Sequence, residues 1–166
     1  NKYLVTVSSL DISTNWKKYI IPIPDPSKLI EATGLFWLSE GASTPDDEGG
    51  YILWFDEIKF ENLGTIGQPQ PAIYNGVDVE QETFAGLTLE VNGLTQTFNL
   101  ANGENKAVTA APSYFDFFSS ESGVVNILEP GQISAINEGE TIVTAAIGGV
   151  LAQGSLALTV TESIEF

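Results

Sequence analysis

The sequence predicts an all-β chain made of two sandwich-type modules, and three observations carry this. Charged residues are scarce at 17%, hydrophobic residues reach 43%, and 16 glycines punctuate the chain. Short runs rich in Val, Ile, Thr, Tyr and Phe are separated by turn pairs such as Asn92-Gly93, Asn102-Gly103 and Pro130-Gly131, the spacing of short strands joined by tight turns. No apolar run approaches the ~20 residues that span a bilayer. The longest, Ala145 to Ala152, is broken by Gly148-Gly149.

The elements follow in order. Lys2 to Val7 has strand composition, and Trp16 to Ile23 reads as a second strand with Pro22 near its end. Asp25 to Ala32 is the one helical turn expected, with Asp25 as N-cap, Pro26 at the first position and Gly34 as a stop. Gly34 to Ser39 is the next strand. A polar loop, Glu40 to Gly50, leads into the longest strand expected, Tyr51 to Phe60. Residues 63–71 carry Gly64, Gly67, Pro69 and Pro71 and read as a linker. Beyond them lie Leu87–Val91, Thr95–Asn99, Tyr114–Phe118, Val124–Leu128, Gln132–Ile136, Thr141–Ile147 and Ser155–Thr161. About seven short strands in some 95 residues is the pattern of an Ig-like sandwich.

Composition excludes several chemistries. The chain has no His and no Cys, so the His-based nucleophile systems and the usual zinc and thiol sites lack their residues. There are 22 acids against 6 basic residues, all lysines, for a net charge of -16. A nucleic acid would be repelled over most of such a surface, and Lys17-Lys18 is too small a basic patch to offset this. The charge is uneven. Residues 1–62 hold five of the lysines and all three Trp, whereas the rest has Lys106 alone against twelve acids. With neither an initiating Met nor a basic and apolar leader, the sequence reads as a processed or excised piece of a longer chain.

Residues 71–161 resemble bacterial Ig-like domains of group 2. The residues that carry the likeness are Ser119-Ser120 leading into Val124 to Ile127, then Gly131-Gln132-Ile133-Ser134-Ala135, then Gly139-Glu140-Thr141-Ile142-Val143-Thr144-Ala145. Phe117 stands where that family commonly has Trp. Residues 1–62 resemble the C-terminal part of a galactose-binding-like carbohydrate-binding module, through Trp16 to Ile23, Gly34 to Trp37 and Tyr51 to Phe60. The resemblances imply a partial jelly-roll sandwich over residues 1–62, a linker over 63–71 and an Ig-like sandwich over 72–166. Jelly-roll modules need eight or more strands and this stretch supplies about four. The rest is expected from the parent chain, from a partner chain or from packing on the Ig-like half.

Trp37, Trp54, Tyr51 and Trp16 are the candidate carbohydrate-binding residues, because an indole or phenol plane stacks on the apolar face of a sugar ring. In Tyr51 to Phe60, alternation puts Tyr51, Leu53 and Phe55 on one face and Ile52, Trp54 and Ile58 on the other. Both faces are apolar, the pattern of a buried central strand, so Trp54 also reads as core. Trp37 lies opposite Phe36 and Leu38 and is expected to be exposed. Asp56, Asp46 and Asp47 are the candidate ligands of a structural Ca²⁺: hard oxygens clustered in a loop suit that ion, and the galactose-binding resemblance implies calcium near the closing strand. An acid at Asp56, between Phe55 and Ile58, is costly if buried without a partner.

Catalysis is not expected. A glycosidase needs two carboxyls facing each other across a cleft, about 5–9.5 Å apart, and Asp56 and Glu57, adjacent in a strand, point to opposite faces. The expected function is a non-catalytic carbohydrate-binding and spacer region of a secreted or cell-surface bacterial protein. Its partner would be a neutral polysaccharide such as a β-glucan, without nucleic acid or membrane insertion. The alternative is a structural subunit of an adhesin or extracellular filament, its N-terminal sheet completed by strand addition from a neighbouring chain.

Overall fold

The structure is a computed structural model that describes residues 2–30, 34, 36–39, 52–64 and 66–162. Among these residues the fold is all-β, with twelve strands in three sheets. The strands are β1 (Val5–Thr6), β2 (Gly67–Ala72), β3 (Asp78–Phe84), β4 (Thr88–Glu90), β5 (Thr95–Asn99), β6 (Asn105–Ala110), β7 (Asp116–Ser119), β8 (Val125–Glu129), β9 (Gln132–Ala135), β10 (Gly139–Ile147), β11 (Val150–Leu151) and β12 (Ser155–Thr161). One sheet has the order β1-β6-β5-β2. The second runs β11-β10-β12-β3 with β7 also on β10, and the third is β4-β9-β8. All pairings between named strands are antiparallel except β3 with β12, which run parallel from Asp78↔Ser155 to Phe84↔Thr161.

Alternation along β12 and along β10 up to Ala145 builds the core. Val143, Ala145 and Ile147 of β10 and Leu156, Leu158 and Val160 of β12 face inward and pack with Val125 of β8 and Ile133 and Ala135 of β9. Each fully buried Leu, Ile or Val contributes about 1.5–3 kcal/mol. The β10–β11 turn is two residues long, since Ile147 pairs with Val150. Gly148 and Gly149 both have positive φ, at 56° and 82°, as a hairpin that follows the strand twist requires. At Gly154 the limit is space: a Cβ there would lie 2.3 Å from the Ile73 carbonyl oxygen.

β5 and β12 occupy the residues expected of them, and β7 to β10 lie within two residues of the expected positions. The 3₁₀ turn Pro26–Lys28 forms where the helical turn was expected, with the Asp25 carboxylate accepting from the Ser27 amide. The difference lies in the N-terminal part. The described residues of the expected strands Trp16–Ile23, Gly34–Ser39 and Tyr51–Phe60 form no ladder. Their β propensity measures fit to a pleated, half-buried surface, and among the described residues no neighbouring strand provides one. Conversely, Gly67–Ala72, which takes up the second half of the stretch read as linker (63–71) and runs one residue beyond it, is strand β2 at a sheet edge. Pro69 and Pro71 suit an edge because they offer no N–H to a further strand.

Candidate functional site

Trp16, Trp37 and Trp54 are 76%, 72% and 78% exposed. Trp37 is thus open to solvent as expected. Trp54 is too, which corrects the reading of it as a core residue. Among the described residues no strand pairs with residues 52–60, and none of them forms a second sheet over the indole. The rings of Phe36 and Phe55 meet edge to face at 5.4 Å. That contact joins the two segments, so Trp37 and Trp54 each leave the backbone one residue from it. Trp16 belongs to a third segment, tied to the second by the Lys18–Glu61 ion pair at 2.7 Å. The Lys18 ammonium holds the exposed Glu61 carboxyl below its usual pKa, chiefly through the hydrogen bond it donates. The Tyr19 hydroxyl donates to the Asp11 carbonyl, and the Lys17 ammonium lies 5.2 Å from the centre of the Tyr19 ring. Tyr51 lies outside the described residues.

These segments present three indoles to water, and an indole face can stack on a sugar ring.

Of the calcium candidates, Asp56 is exposed, and one of its carboxylate oxygens accepts from the Glu57 amide at 2.7 Å. Glu57 itself has a φ of 51° and pairs with Lys59 at 3.6 Å. Among the described residues no three acids gather to hold a metal ion, so Asp56 is not part of a cage there. The cost foreseen for a buried, unpartnered Asp56 does not arise, since solvent reaches it. Asp46 and Asp47 lie outside the described residues.

Two features were not anticipated. A shallow groove of about 410 Å³ is lined by Leu4, Thr6, Val91, Leu94, Ala110 and Pro112, among other residues, none of them titratable. In the β1-β6-β5-β2 sheet, Gln96 is buried between Val108 and Pro71, and its carbonyl oxygen has no partner. A Gln in an inward position of an otherwise apolar row was visible in the alternation, but the register that leaves it unpaired was not.

No family model matches this chain, and no curated protein matches it. Among solved structures it is similar to a protein from Bacteroides vulgatus ATCC 8482 studied by NMR, at 11% identity over 62% of this chain and 99% of that one, with a TM-score of 0.34. It is also similar to a chain of the titin M10–obscurin-like 1 Ig complex, at 13% identity over 59% of this chain and 100% of that one, with a TM-score of 0.29. Scores this low establish no relationship, so the all-β fold stands on the strand pairings of the chain itself.

Proposed function

We propose that this chain is a non-catalytic carbohydrate-binding and spacer region of a secreted bacterial polysaccharide-active protein. The observation that supports it is the exposure of Trp16, Trp37 and Trp54 together, two of them beside the Phe36–Phe55 contact. The ligand is a neutral polysaccharide, because a net charge of -16 repels polyanionic glycans. Residues 72–166 are the spacer, an Ig-like sandwich of the bacterial group 2 type. The antiparallel β7–β10–β12 ladder with a parallel strand at its edge supports that reading. The test is affinity electrophoresis in gels containing a neutral β-glucan. The chain is expected to be retarded, and Trp37→Ala to remove the retardation while leaving the melting temperature unchanged. Equal mobility of both proteins with and without glycan would overturn the proposal.

A second reading, a filament or adhesin subunit completed by strand addition, has one observation in its favour. Residues 16–23 and 52–60 are rich in strand-forming side chains, yet among the described residues they have no partner strand. A monomer that binds glycan supports the first reading. A concentration-dependent polymer without glycan affinity supports the second.

A further inference from the structure

The chain contains three Asn-Gly pairs, Asn75-Gly76, Asn92-Gly93 and Asn102-Gly103. In such a pair the glycine amide nitrogen can attack the carbonyl carbon of the asparagine side chain, because glycine has no side chain to crowd the approach. The attack needs two freedoms. The glycine N–H must be released from any carbonyl it serves, and the asparagine side chain must be able to swing onto it.

The structure separates the three pairs on these terms. The Gly76 amide donates to the Ile73 carbonyl at 2.9 Å, and the Gly103 amide to the Leu100 carbonyl at 2.8 Å. The Asn102 side chain is held as well: its oxygen accepts from the Glu104 amide at 3.0 Å and its Nδ2 donates to the Glu104 carboxylate at 3.4 Å. Asn92 is exposed, and among the described residues neither its side chain nor the Gly93 amide has a hydrogen-bond partner. Both residues line the shallow groove beside Pro112, where water reaches them.

The carbonyls of this pair hold a strained neighbour. Tyr74, Asn75 and Gly76 lie consecutively in the left-handed region, at φ of 50°, 55° and 82°. A tyrosine keeps that conformation only where its surroundings impose it. Two of the restraints come from Asn92 and Gly93: the Tyr74 amide donates to the Asn92 carbonyl at 2.8 Å and the Asn75 amide to the Gly93 carbonyl at 3.0 Å. The fit is close, since a Cβ on Gly93 would lie 2.6 Å from the Asn75 nitrogen.

We propose that Asn92 is a site of spontaneous deamidation and that its conversion unfastens the Tyr74–Gly76 turn. The Gly93 nitrogen bonds to Asn92 Cγ, the Cγ–Nδ2 bond breaks, and Nδ2 leaves as ammonia with the proton that the Gly93 amide gives up. Water then opens the cyclic imide. Cleavage of the new Cγ–N bond leaves aspartate, and cleavage of the original peptide bond leaves isoaspartate with the main chain rerouted through Cγ. In isoaspartate the main chain is one methylene longer, so the carbonyls at 92 and 93 no longer match the Tyr74 and Asn75 amides. This inference is independent of glycan binding.

The test holds the full chain in mildly alkaline buffer, folded and in concentrated urea, and follows each pair by peptide mapping with mass spectrometry and enzymatic isoaspartate labelling. The urea sample gives the rate that each local sequence allows by itself. Folding is expected to slow Asn75 and Asn102 roughly tenfold more than Asn92, because at those two a hydrogen bond worth about that factor must open first. Equal slowing at the three sites, or the greatest slowing at Asn92, overturns the inference. Hydrogen exchange then reads the turn. The Tyr74 and Asn75 amides are expected to exchange faster as isoaspartate accumulates in the unaltered chain. They should not do so in Asn92→Gln held equally long, which keeps an exposed amide but closes its larger ring far more slowly. Unchanged Tyr74 exchange in chains that carry the isoaspartate overturns the coupling to the turn.

Discussion

Residues 66–162 and the described residues before them draw on the same kinds of side chain and meet opposite fates. In β12, Leu156, Leu158 and Val160 are 0%, 1% and 2% exposed, whereas Ile52 and Trp54 are both 78% exposed. Both stretches are rich in β-branched, aromatic and aliphatic residues. What separates them is pairing: β12 lies between β10 and β3, so its backbone groups are satisfied on both sides and alternate side chains fall into the core. Among the described residues, 52–60 have no neighbouring strand. A strand is a property of its neighbours as much as of its own residues.

The contrast can be broken most sharply in the core. Leu156→Ala is expected to destabilise the chain by about 2–5 kcal/mol, the usual cost of emptying a fully buried leucine site. Urea denaturation measures it, and a loss below ~1 kcal/mol would show that β12 is not central to the fold. Thr141→Val is expected to cost about 1–3 kcal/mol. The Thr141 hydroxyl, nearly buried, accepts from the Glu121 amide at 3.1 Å and shares hydrogen bonds with the Ser119 and Ser120 hydroxyls at 2.9 and 3.2 Å. The isosteric valine keeps the volume and removes all three bonds, so Thr141→Ser should be much milder.

Alkaline pH probes the seam between the two regions. Burial first, then the Asp25 charge and the Tyr3 phenol, push the Tyr114 hydroxyl up to about 12, against ~10 in an unfolded chain; burial raises Tyr74 as well. The folded protein therefore keeps protons that the unfolded chain has lost. That stability is fully present below about pH 10 and declines as pH rises toward 12. Urea midpoints at pH 9, 10.5 and 11.5 should fall in that order, less steeply for Tyr114→Phe than for the unaltered chain. The smallest effect is expected on the exposed side: Trp54→Ala should change stability by no more than about 0.5 kcal/mol. A loss of 3 kcal/mol there would return Trp54 to the core.

Legibility in the sequence followed local pattern. β5 and β12 could be placed to the residue because Thr95 to Asn99 and Ser155 to Thr161 alternate cleanly between turn signals. β3 was missed because three of its seven residues are acids, which strands ordinarily disfavour. They are tolerated on the exposed face of an edge strand, and only pairing with β12 made this stretch an edge. β6 was missed for a related reason, since Asn105 and Lys106 open it and it gains its register from β5. For the candidate site, the tryptophans were identifiable by type; Trp37 is exposed, but not for the reason expected, since Phe36 and Leu38, which were to fill the core opposite it, are 46% and 42% exposed themselves. The exposure of Trp54 was not legible: two-faced apolar alternation reads as burial whether or not a second sheet exists.

By itself, then, the sequence determined the all-β class, the turns and the inward faces of the C-terminal strands. These depend on φ preferences and a two-residue period that operate within a few residues. The tertiary structure alone decided which extended segments became strands, that Tyr3 to Thr6 and Lys28 fasten onto β6 and the 3₁₀ turn Pro112–Tyr114, and that the indoles face water. Each of those outcomes depends on what lies beside a segment in space, as in the pairing of Val5 with Ala110, and no local pattern encodes such a neighbour.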